Sequence, residues 1–145
     1  MENLVIRNAT LKDAKTLEKM SRDTTEIAMA EGRTLGLKYF EFIIGYDEYG
    51  MVLIAEIDKK IVGFLLAEVS SLTELSMLTY LIIDPKYRNN KIGTKLIDSY
   101  LKELGKRRIK LVSLFAPKSN KKSLNFYEKA GFKKDKEYVL FFKDL

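Results

Sequence analysis

Residues 80–105, YLIIDPKYRNNKIGTKLIDSYLKELG, are the most informative stretch of this sequence. An apolar, β-branched run ends at Asp84 and Pro85, because proline has no N–H for a strand ladder and disfavours helix in the residue before it. After a polar turn, apolar residues recur at helical spacing from Ile92 to Leu104, and Gly105 is a natural left-handed cap. The pattern predicts a strand, a tight turn and an amphipathic helix, with the turn at the helix N-terminus.

The composition restricts the chemistry available to the chain. Its 145 residues are 46% hydrophobic, which predicts a single domain over 1–145. The absence of cysteine and histidine excludes disulfides, thiolate zinc sites, cysteine nucleophiles and Ser-His-Asp triads, so no metal site is expected. No apolar run approaches the ~18 residues that span a bilayer, and residues 1–10 lack the apolar core of a signal peptide. We expect a soluble, cytoplasmic protein without a membrane partner.

The charged residues are unevenly distributed. The formal net charge of +6 combines 9 Lys/Arg and 14 Asp/Glu in residues 1–84 with 17 Lys/Arg and 6 Asp/Glu in residues 85–145. The basic half suggests an anionic partner, either nucleic acid or a phosphorylated cofactor, and the acidic half suggests a cationic one. Solvated lysines on helix faces explain any single basic cluster equally well.

The first half of the chain predicts mixed secondary structure. A short strand over 4–7 precedes a helix whose start has the capping-box residues Thr10 and Asp13. Glycines interrupt the helical pattern over 24–45, so we expect one broken helix or two short ones. Two apolar runs over 51–57 and 61–69 are spaced as a hairpin.

The second half completes an α+β fold. A strand over 75–83 extends the hairpin into an antiparallel meander, and a strand over 109–115 follows the helix, which predicts one parallel pair. Ser119 and Asn120 are cap-type residues that open a helix through Ala130, and Gly131 lies just past its end as a C-cap. Residues 132–145 alternate apolar and charged residues in two possible short strands. We expect a mostly antiparallel, twisted sheet of six or seven strands flanked by about four helices.

The turn between strand and helix is a candidate anion site. Its backbone N–H groups lie at a helix N-terminus, where the helix dipole favours negative charge. Gly93 would allow close approach of a ligand, and Asn89 or Asn90 tolerates left-handed backbone. The cationic side chains nearby are Lys86, Arg88 and Lys91. Polar turns with one glycine are common, so spacing alone does not specify the anion.

Two motifs resemble those of the GNAT acyl-CoA N-acyltransferase superfamily. The first, similar to motif A of that superfamily, is Leu81-x-Ile83-x-Pro85-x-Tyr87-Arg88-x-x-x-Ile92-Gly93. The second, similar to motif B, is Asn120-x-x-Ser123-x-x-Phe126-Tyr127-x-x-x-Gly131-Phe132. The resemblance covers essentially all of the chain and is strongest over 75–132. One position departs from it, because Lys91 stands where the superfamily has glycine.

The resemblance implies that acetyl-CoA is the cosubstrate. Its pyrophosphate would bind the N–H groups of residues 89–94, and its pantetheine arm would pair with Leu81 and Ile83 like a short strand. The implied cofactor-binding residues are Leu81, Ile82, Ile83, Arg88, Asn89, Asn90, Lys91, Ile92, Gly93, Thr94, Asn120, Ser123 and Tyr127. Lys91 either weakens phosphate binding through its Cβ or adds a charge contact, and Asn120 serves either the cofactor or its own helix as a cap.

The resemblance also implies the reaction, a direct attack of an amine on the thioester without a covalent enzyme intermediate. A backbone N–H near Leu81 would stabilise the oxyanion. Tyr127 would protonate the departing thiolate, although its position on an amphipathic helix also fits core packing.

The residues leave several candidates for the base that deprotonates the amine. Glu74 stands at the start of the strand over 75–83, and Glu68 stands near the end of its hairpin neighbour. Either carboxylate can accept a proton directly or through water. A water chain that involves Thr79 or Tyr80 is an equal alternative.

These observations predict an acetyl-CoA-dependent N-acetyltransferase whose acceptor is a primary amine of a small molecule, a polyamine, a lysine or a protein N-terminus. The acidic first half favours a cationic acceptor. The alternative is a non-catalytic CoA-binding or regulatory module, suggested by Lys91 and by the lack of a glutamate in the middle of the strand over 75–83. Nucleic-acid binding is disfavoured because no aromatic residues interleave the basic clusters over 106–110 and 118–122. A monomer and a homodimer are both compatible with the sequence.

Overall fold

The computed structural model describes residues 3–24 and 34–145 of the chain. These residues form two compact units, one that ends at Phe115 and one that begins at Ala116, and each is described by itself. The single domain over 1–145 stays a prediction. Part of the helical pattern expected over 24–45 lies outside the described residues.

The first unit is built on a five-stranded sheet whose strands follow the order of the chain. The strands are β1 (Leu4–Asn8), β2 (Gly50–Ile57), β3 (Lys60–Ser70), β4 (Leu75–Ile83) and β5 (Leu111–Leu114). β1 to β4 are antiparallel neighbours, and β4 and β5 are parallel. The predicted α+β class, the meander and the parallel pair are confirmed.

The described chain contains four α-helices. They are α1 (Ala14–Asp23), α2 (Leu37–Gly45), α3 (Ile92–Lys106) and, in the second unit, α4 (Lys121–Lys129). The predicted capping box is present at the start of the first helical segment, where the N–H of Thr10 donates to the Asp13 carboxylate at 2.8 Å. None of the described helices is long and apolar enough to cross a membrane.

The sheet has fewer strands than the six or seven expected. Residues 132–145 form no strand in the described chain, although their apolar and charged residues alternate. Alternation fixes which side chains share a face, but a strand also needs a neighbouring edge that accepts its N–H and C=O groups. The alternating pattern of residues 132–145 therefore does not produce a paired strand.

Helices cover both faces of the sheet. On one face α1 and α2 pack on a core in which Phe40 lies 6.1 Å from Phe64 and 6.0 Å from Tyr80, measured between ring centres. On the other face α3 contacts β2, β3 and β4. Neighbouring residues of β3 such as Leu65 and Leu66 are both buried because each face has its own layer of helices.

A β-bulge at Thr79 interrupts the regular pairing of β3 with β4. Leu66 pairs with Tyr80, but the next residue, Ala67, pairs with Leu78. Thr79 is therefore an extra residue in β4 without its own partner on β3.

The bulge changes the face on which the residues of β4 lie. Before the bulge, Ser76 shares a 2.6 Å hydrogen bond with Tyr100 of α3. After it, Tyr80 stacks on Phe40 of α2, on the opposite face. β4 thus packs against α3 in its first half and presents Tyr80 to α2 in its second half.

The C-terminus of α3 differs from the sequence-based expectation. Gly105 lies inside the helix, and the left-handed residue is Arg108, with φ of 59°. The N–H of Ile109 donates to the carbonyl of Leu104 and the N–H of Arg108 to that of Gly105, which is the Schellman arrangement. Because this motif places its left-handed residue at Arg108, the prediction of Gly105 as the cap is wrong.

An ion-pair network ties β1 to its surroundings. Arg7 pairs with Asp13 at 2.9 Å and with Glu56 of β2 at 2.8 Å. The hydrogen bond from Arg7 holds the pKa of Asp13 below its usual value, with a further contribution from the N–H of Thr10. The network joins the sheet to the start of α1.

Candidate active site

The end of β4 leads directly into the candidate anion site. A short helical turn over Pro85–Tyr87 follows, and the side chain of Asp84 accepts a hydrogen bond from the N–H of Lys86 at 3.0 Å. Lys60 lies 3.8 Å from the Asp84 carboxylate and 5.1 Å from the centre of the Tyr87 ring. These contacts fix the turn to the end of the sheet.

Two residues of the turn have left-handed backbone, Asn89 with φ of 65° and Lys91 with φ of 60°. The side chain of Asn90 supports them by donating to the carbonyls of Tyr87 and Arg88 at 3.1 and 3.2 Å. A left-handed conformation costs a residue with a side chain roughly 1–2 kcal/mol. Lys91 nevertheless adopts the conformation that glycine favours, so its Cβ does not prevent this backbone path.

The turn ends at the N-terminus of α3. No side chain caps the helix at Lys91, and the first N–H groups of a helix have no carbonyl partner inside it. Ile92 is buried and anchors the first turn, whereas Arg88 and Lys91 are exposed. The N–H groups, the dipole of this 15-residue helix and the two cations suit a phosphate.

The backbone groups of Leu81 and Ile83 point away from β3. The N–H of Asp84 donates to the carbonyl of Val62 at 2.9 Å, so Asp84 belongs to the hydrogen-bonded set of the antiparallel pair. Residues two apart share this pattern, and the residues between them turn their N–H and C=O groups to the other side. Leu81 and Ile83 are such intervening residues.

β5 leaves this side of β4 open. The parallel pairing runs from Leu75 to Leu78, which pairs with Leu114, while β4 continues to Ile83. In the described sheet, the last five residues of β4 therefore have no β5 partner. The carbonyl of Ile83 accepts a hydrogen bond from Nε of Arg88 at 3.3 Å. The open edge can pair with an extended, amide-containing chain.

A polar cluster beside the bulge joins Glu68 and Thr79, both candidates from the sequence, to Tyr39, which the sequence analysis missed. The hydroxyl of Tyr39, on α2, donates to Oε1 of Glu68 at 2.6 Å, with the side chain of Thr79 nearby. Burial, and then the Glu68 hydrogen bond, raise the pKa of Tyr39 well above its usual value, so the phenol stays a donor at neutral pH. Its place in an apolar helical stripe gave no sign of this role.

Glu74 lies apart from this cluster. It forms a 2.8 Å ion pair with Lys110, and its carbonyl accepts from the N–H groups of Lys110 and Leu111. Seven residues of strand separate it from Leu81, or about 23 Å at the usual rise. Glu74 thus joins the start of β4 to β5, at the opposite end from the turn.

The second unit contains the remaining predicted residues. The Asn120 side chain caps α4 by accepting from the N–H of Ser123 at 3.2 Å, and Gly131 has φ of 93° just after the helix. The ring of Tyr127 lies 5.2 Å from that of Phe126 and 5.7 Å from that of Phe132. Burial raises the pKa of Tyr127 to about 12, so the phenol is protonated at neutral pH.

Across 3–24 and 34–145, no group of three acidic side chains is placed to hold a metal ion.

The mixed sheet, the open edge of β4 and the turn before α3 define the fold of acetyltransferases. The sequence profile of the acetyltransferase (GNAT) family matches residues 15–132, which include both the turn and Tyr127. The chain belongs to this family, which confirms the resemblance found in the two motifs.

Individual relatives give the same assignment. An uncharacterized N-acetyltransferase of Methanocaldococcus jannaschii is 30% identical over 106 residues, or 70% of this chain and 46% of the relative, so the match spans about half of that protein. An N-alpha-acetyltransferase of Sulfurisphaera tokodaii is 28% identical over an alignment of 151 positions, which covers 96% of this chain and 86% of the relative.

Solved structures share the fold. An aminoglycoside acetyltransferase from an uncultured soil sample, crystallised with sisomicin, has a TM-score of 0.80 and 20% identity, covering 99% of this chain and 97% of that chain. The PaiA N-acetyltransferase of Thermoplasma acidophilum, in complex with coenzyme A, has a TM-score of 0.73 and 24% identity over 93% of each chain.

Proposed function

We propose that this protein is an N-acetyltransferase that transfers the acetyl group of acetyl-CoA directly to a primary amine. The observation that carries the proposal is the open edge at Leu81 and Ile83, which continues without interruption into the anion-binding turn. Acetyl-CoA has the same order of groups, an amide-containing arm followed by a pyrophosphate. The crystallised relative in complex with coenzyme A supports this cosubstrate.

The bound thioester would be activated by backbone groups. The N–H of Leu81 faces the open edge and would stabilise the negative charge that develops on the carbonyl oxygen. Such a donor is worth roughly 3–4 kcal/mol. The ammonium of the acceptor first loses one proton to solvent. The uncharged amine then forms the new N–C bond, the C–S bond breaks, and the proton that the nitrogen loses passes to the sulfur, so coenzyme A leaves as the thiol. Positioning of the two reactants supplies much of the remaining rate enhancement.

Tyr127 would act on the leaving sulfur, as its motif implies. With a pKa of about 12 the phenol is a weaker acid than a thiol, whose usual pKa is about 8.5. It would therefore stabilise the departing thiolate chiefly as a hydrogen-bond donor. Lys91, Arg88 and the N–H groups of residues 89–94 would bind the pyrophosphate.

We further propose that the acceptor is cationic. The acidic first half of the chain supports this proposal, and the acceptors named for similar proteins, aminoglycosides among them, are amines. We place the reaction in the cytoplasm and expect a monomer or a homodimer.

The decisive experiment combines cofactor binding with turnover. Acetyl-CoA should raise the melting temperature and bind in isothermal titration calorimetry. Thiol release from acetyl-CoA should then be followed with polyamines, aminoglycosides, amino acids and N-terminal peptides. Absence of acetyl-CoA binding would refute the proposal. Binding without turnover across the panel would instead indicate the non-catalytic module, an alternative that Lys91 no longer favours because its backbone adopts the glycine-like conformation.

A further inference from the structure

The cluster of Tyr39, Glu68 and Thr79 lies where β4 separates from β5. The parallel pairing ends at Leu78, and Thr79 is the next residue. Leu81 follows two residues later, about 7 Å along the strand. The cluster is on the face covered by α2, so it flanks the edge along which the thioester arm would lie.

Among the described residues, the carboxylate of Glu68 has one hydrogen-bond donor. Tyr39 donates to Oε1 at 2.6 Å, which leaves Oε2 available to a further donor. Glu68 is exposed. In the described part of the chain, no lysine or arginine forms an ion pair with it. The hydroxyl bond orients the carboxylate without neutralising its charge.

Several other carboxylates of the first unit pair with cations. Asp13 and Glu56 pair with Arg7, and Glu74 pairs with Lys110. Glu68 differs from these three carboxylates because the group that orients it is the neutral phenol of Tyr39. Its position beside the open edge makes a cation of the substrate the complementary partner.

The positive charge that Glu68 would bind differs from the reacting nitrogen, which must be uncharged when it attacks. An amine must be uncharged when it attacks, since an ammonium has no free electron pair, and an adjacent carboxylate would favour the ammonium. A carboxylate displaced from Leu81 toward Thr79 can hold a different positive charge of the same molecule without this penalty.

We propose that Glu68 binds a second positive charge of the acceptor, separate from the amine that is acetylated, and that Tyr39 is the positioning residue that orients the Glu68 carboxylate. This inference rests on the proposed acetyl transfer. It assigns the substrate class as amines that carry an additional cation, such as diamines or peptides with a nearby basic residue.

The test uses pairs of acceptors that differ only in that second charge. One pair is 1,4-diaminobutane and butylamine, and the other is a short peptide with lysine at its second position and the same peptide with norleucine. Values of kcat and KM are measured for the intact protein and for Glu68→Gln, Tyr39→Phe and the control Glu41→Gln, which removes an exposed charge from α2. The Kd of acetyl-CoA is measured for every variant.

Glu68→Gln should raise KM about 10-fold for the charged member of a pair and leave KM for the neutral member nearly unchanged. Tyr39→Phe should act in the same direction by about 3-fold, since the charge remains but its orientation is lost. Glu41→Gln should have no effect. The Kd of acetyl-CoA should be the same in all four proteins.

Three results would overturn the inference. They are a wild-type protein that does not prefer the charged member of either pair, an equal change in KM for both members in Glu68→Gln, and a fall in kcat for both members, which would place Glu68 at the reacting amine. If Glu68→Gln lowers the melting temperature, Glu68→Asp, which retains the charge, should keep the preference. A wild-type protein that does not bind acetyl-CoA refutes the proposed function instead.

Discussion

The hydroxyl of Tyr100 lies 2.6 Å from Oγ of Ser76, and this contact joins α3 to β4 in the interior of the first unit. Ser76 also donates to the carbonyl of Glu68 at 2.7 Å, so Tyr100 supplies the hydrogen in the shared bond. Both side chains are buried, and burial raises the pKa of Tyr100 to about 12. The pair satisfies a polar group that would otherwise have no partner in the core.

Ser76→Ala should therefore destabilise the protein by about 1–3 kcal/mol, because it leaves the buried Tyr100 hydroxyl unpaired. Tyr100→Phe should cost less, and the double variant should be more stable than the sum of the two single effects predicts. Urea unfolding of the four proteins gives the double-mutant cycle. Strictly additive effects would contradict the assigned bond.

Lys91→Gly tests the backbone of the anion site. Glycine removes the left-handed strain of roughly 1–2 kcal/mol but adds entropy to the unfolded chain, so we expect a net gain of about 0.5–1 kcal/mol. Acetyl-CoA should bind about 2–5-fold more weakly because one phosphate-binding charge is lost.

Arg108→Gly is the matched control, since Arg108 has φ of 59° at the other end of α3. It should give a similar gain in stability with unchanged acetyl-CoA affinity. Tighter binding by Lys91→Gly would show that the Cβ of Lys91 obstructs the phosphate.

Gly93→Val should abolish the thermal stabilisation by acetyl-CoA, because a branched side chain would occupy the space that the pyrophosphate needs at the helix N-terminus. Gly105→Val is the control in the same helix, where an added Cβ meets no atom within 4 Å. Thermal-shift titrations compare the two. A normal response in Gly93→Val would place the cofactor elsewhere.

The Arg7 network predicts a specific pH dependence. Because the folded state lowers the pKa of Asp13, its stabilisation is present above the unfolded pKa and is lost as pH falls through the folded value. Asp13→Asn should cost about 2–3 kcal/mol at pH 7, and the difference from wild type should shrink as pH falls and vanish once Asp13 is protonated in the folded state. Urea midpoints at several pH values measure this difference. A difference that grows with acidity would contradict the assignment.

Tyr127→Phe should lower kcat by about 10–100-fold with little change in the Kd of acetyl-CoA, since the ring remains and only the donor is lost. Tyr138→Phe, at an exposed tyrosine of the same unit, is the control. The pH–rate profile of the wild type should show no loss of activity from Tyr127 ionisation below about pH 11, because its pKa is about 12. Unchanged kcat in the variant would limit Tyr127 to core packing.

Local signals predicted much of the architecture. Proline after Asp84 and the helical spacing from Ile92 located the strand, turn and helix, and the intervening helix made β5 parallel to β4. The left-handed residues of the turn follow from asparagine chemistry at Asn89, whereas Lys91 adopts the same backbone against its own preference. These features depend on residues that are neighbours in the chain.

Features set by distant contacts were not predictable. Ser76 and Tyr80 belong to one alternating run, and nothing in that run shows that Thr79 is an extra residue that puts them on opposite faces. Tyr39 acquires its role from Glu68, 29 residues away, within a helix whose apolar pattern indicated packing alone. Both cases depend on the register between elements, which composition and spacing do not specify.

The bulge at Thr79 also sets which peptide groups reach the open edge of β4. If Thr79 paired with Leu66 in a regular ladder instead of bulging, Leu81 would pair with Phe64 and Ile83 with Val62, and their N–H and C=O groups would bond within the β3–β4 ladder. The edge would then present the groups of Ile82 instead. The unpaired Thr79 thus determines which peptide groups of β4 face the open edge, although every side chain of the turn would be the same in either register.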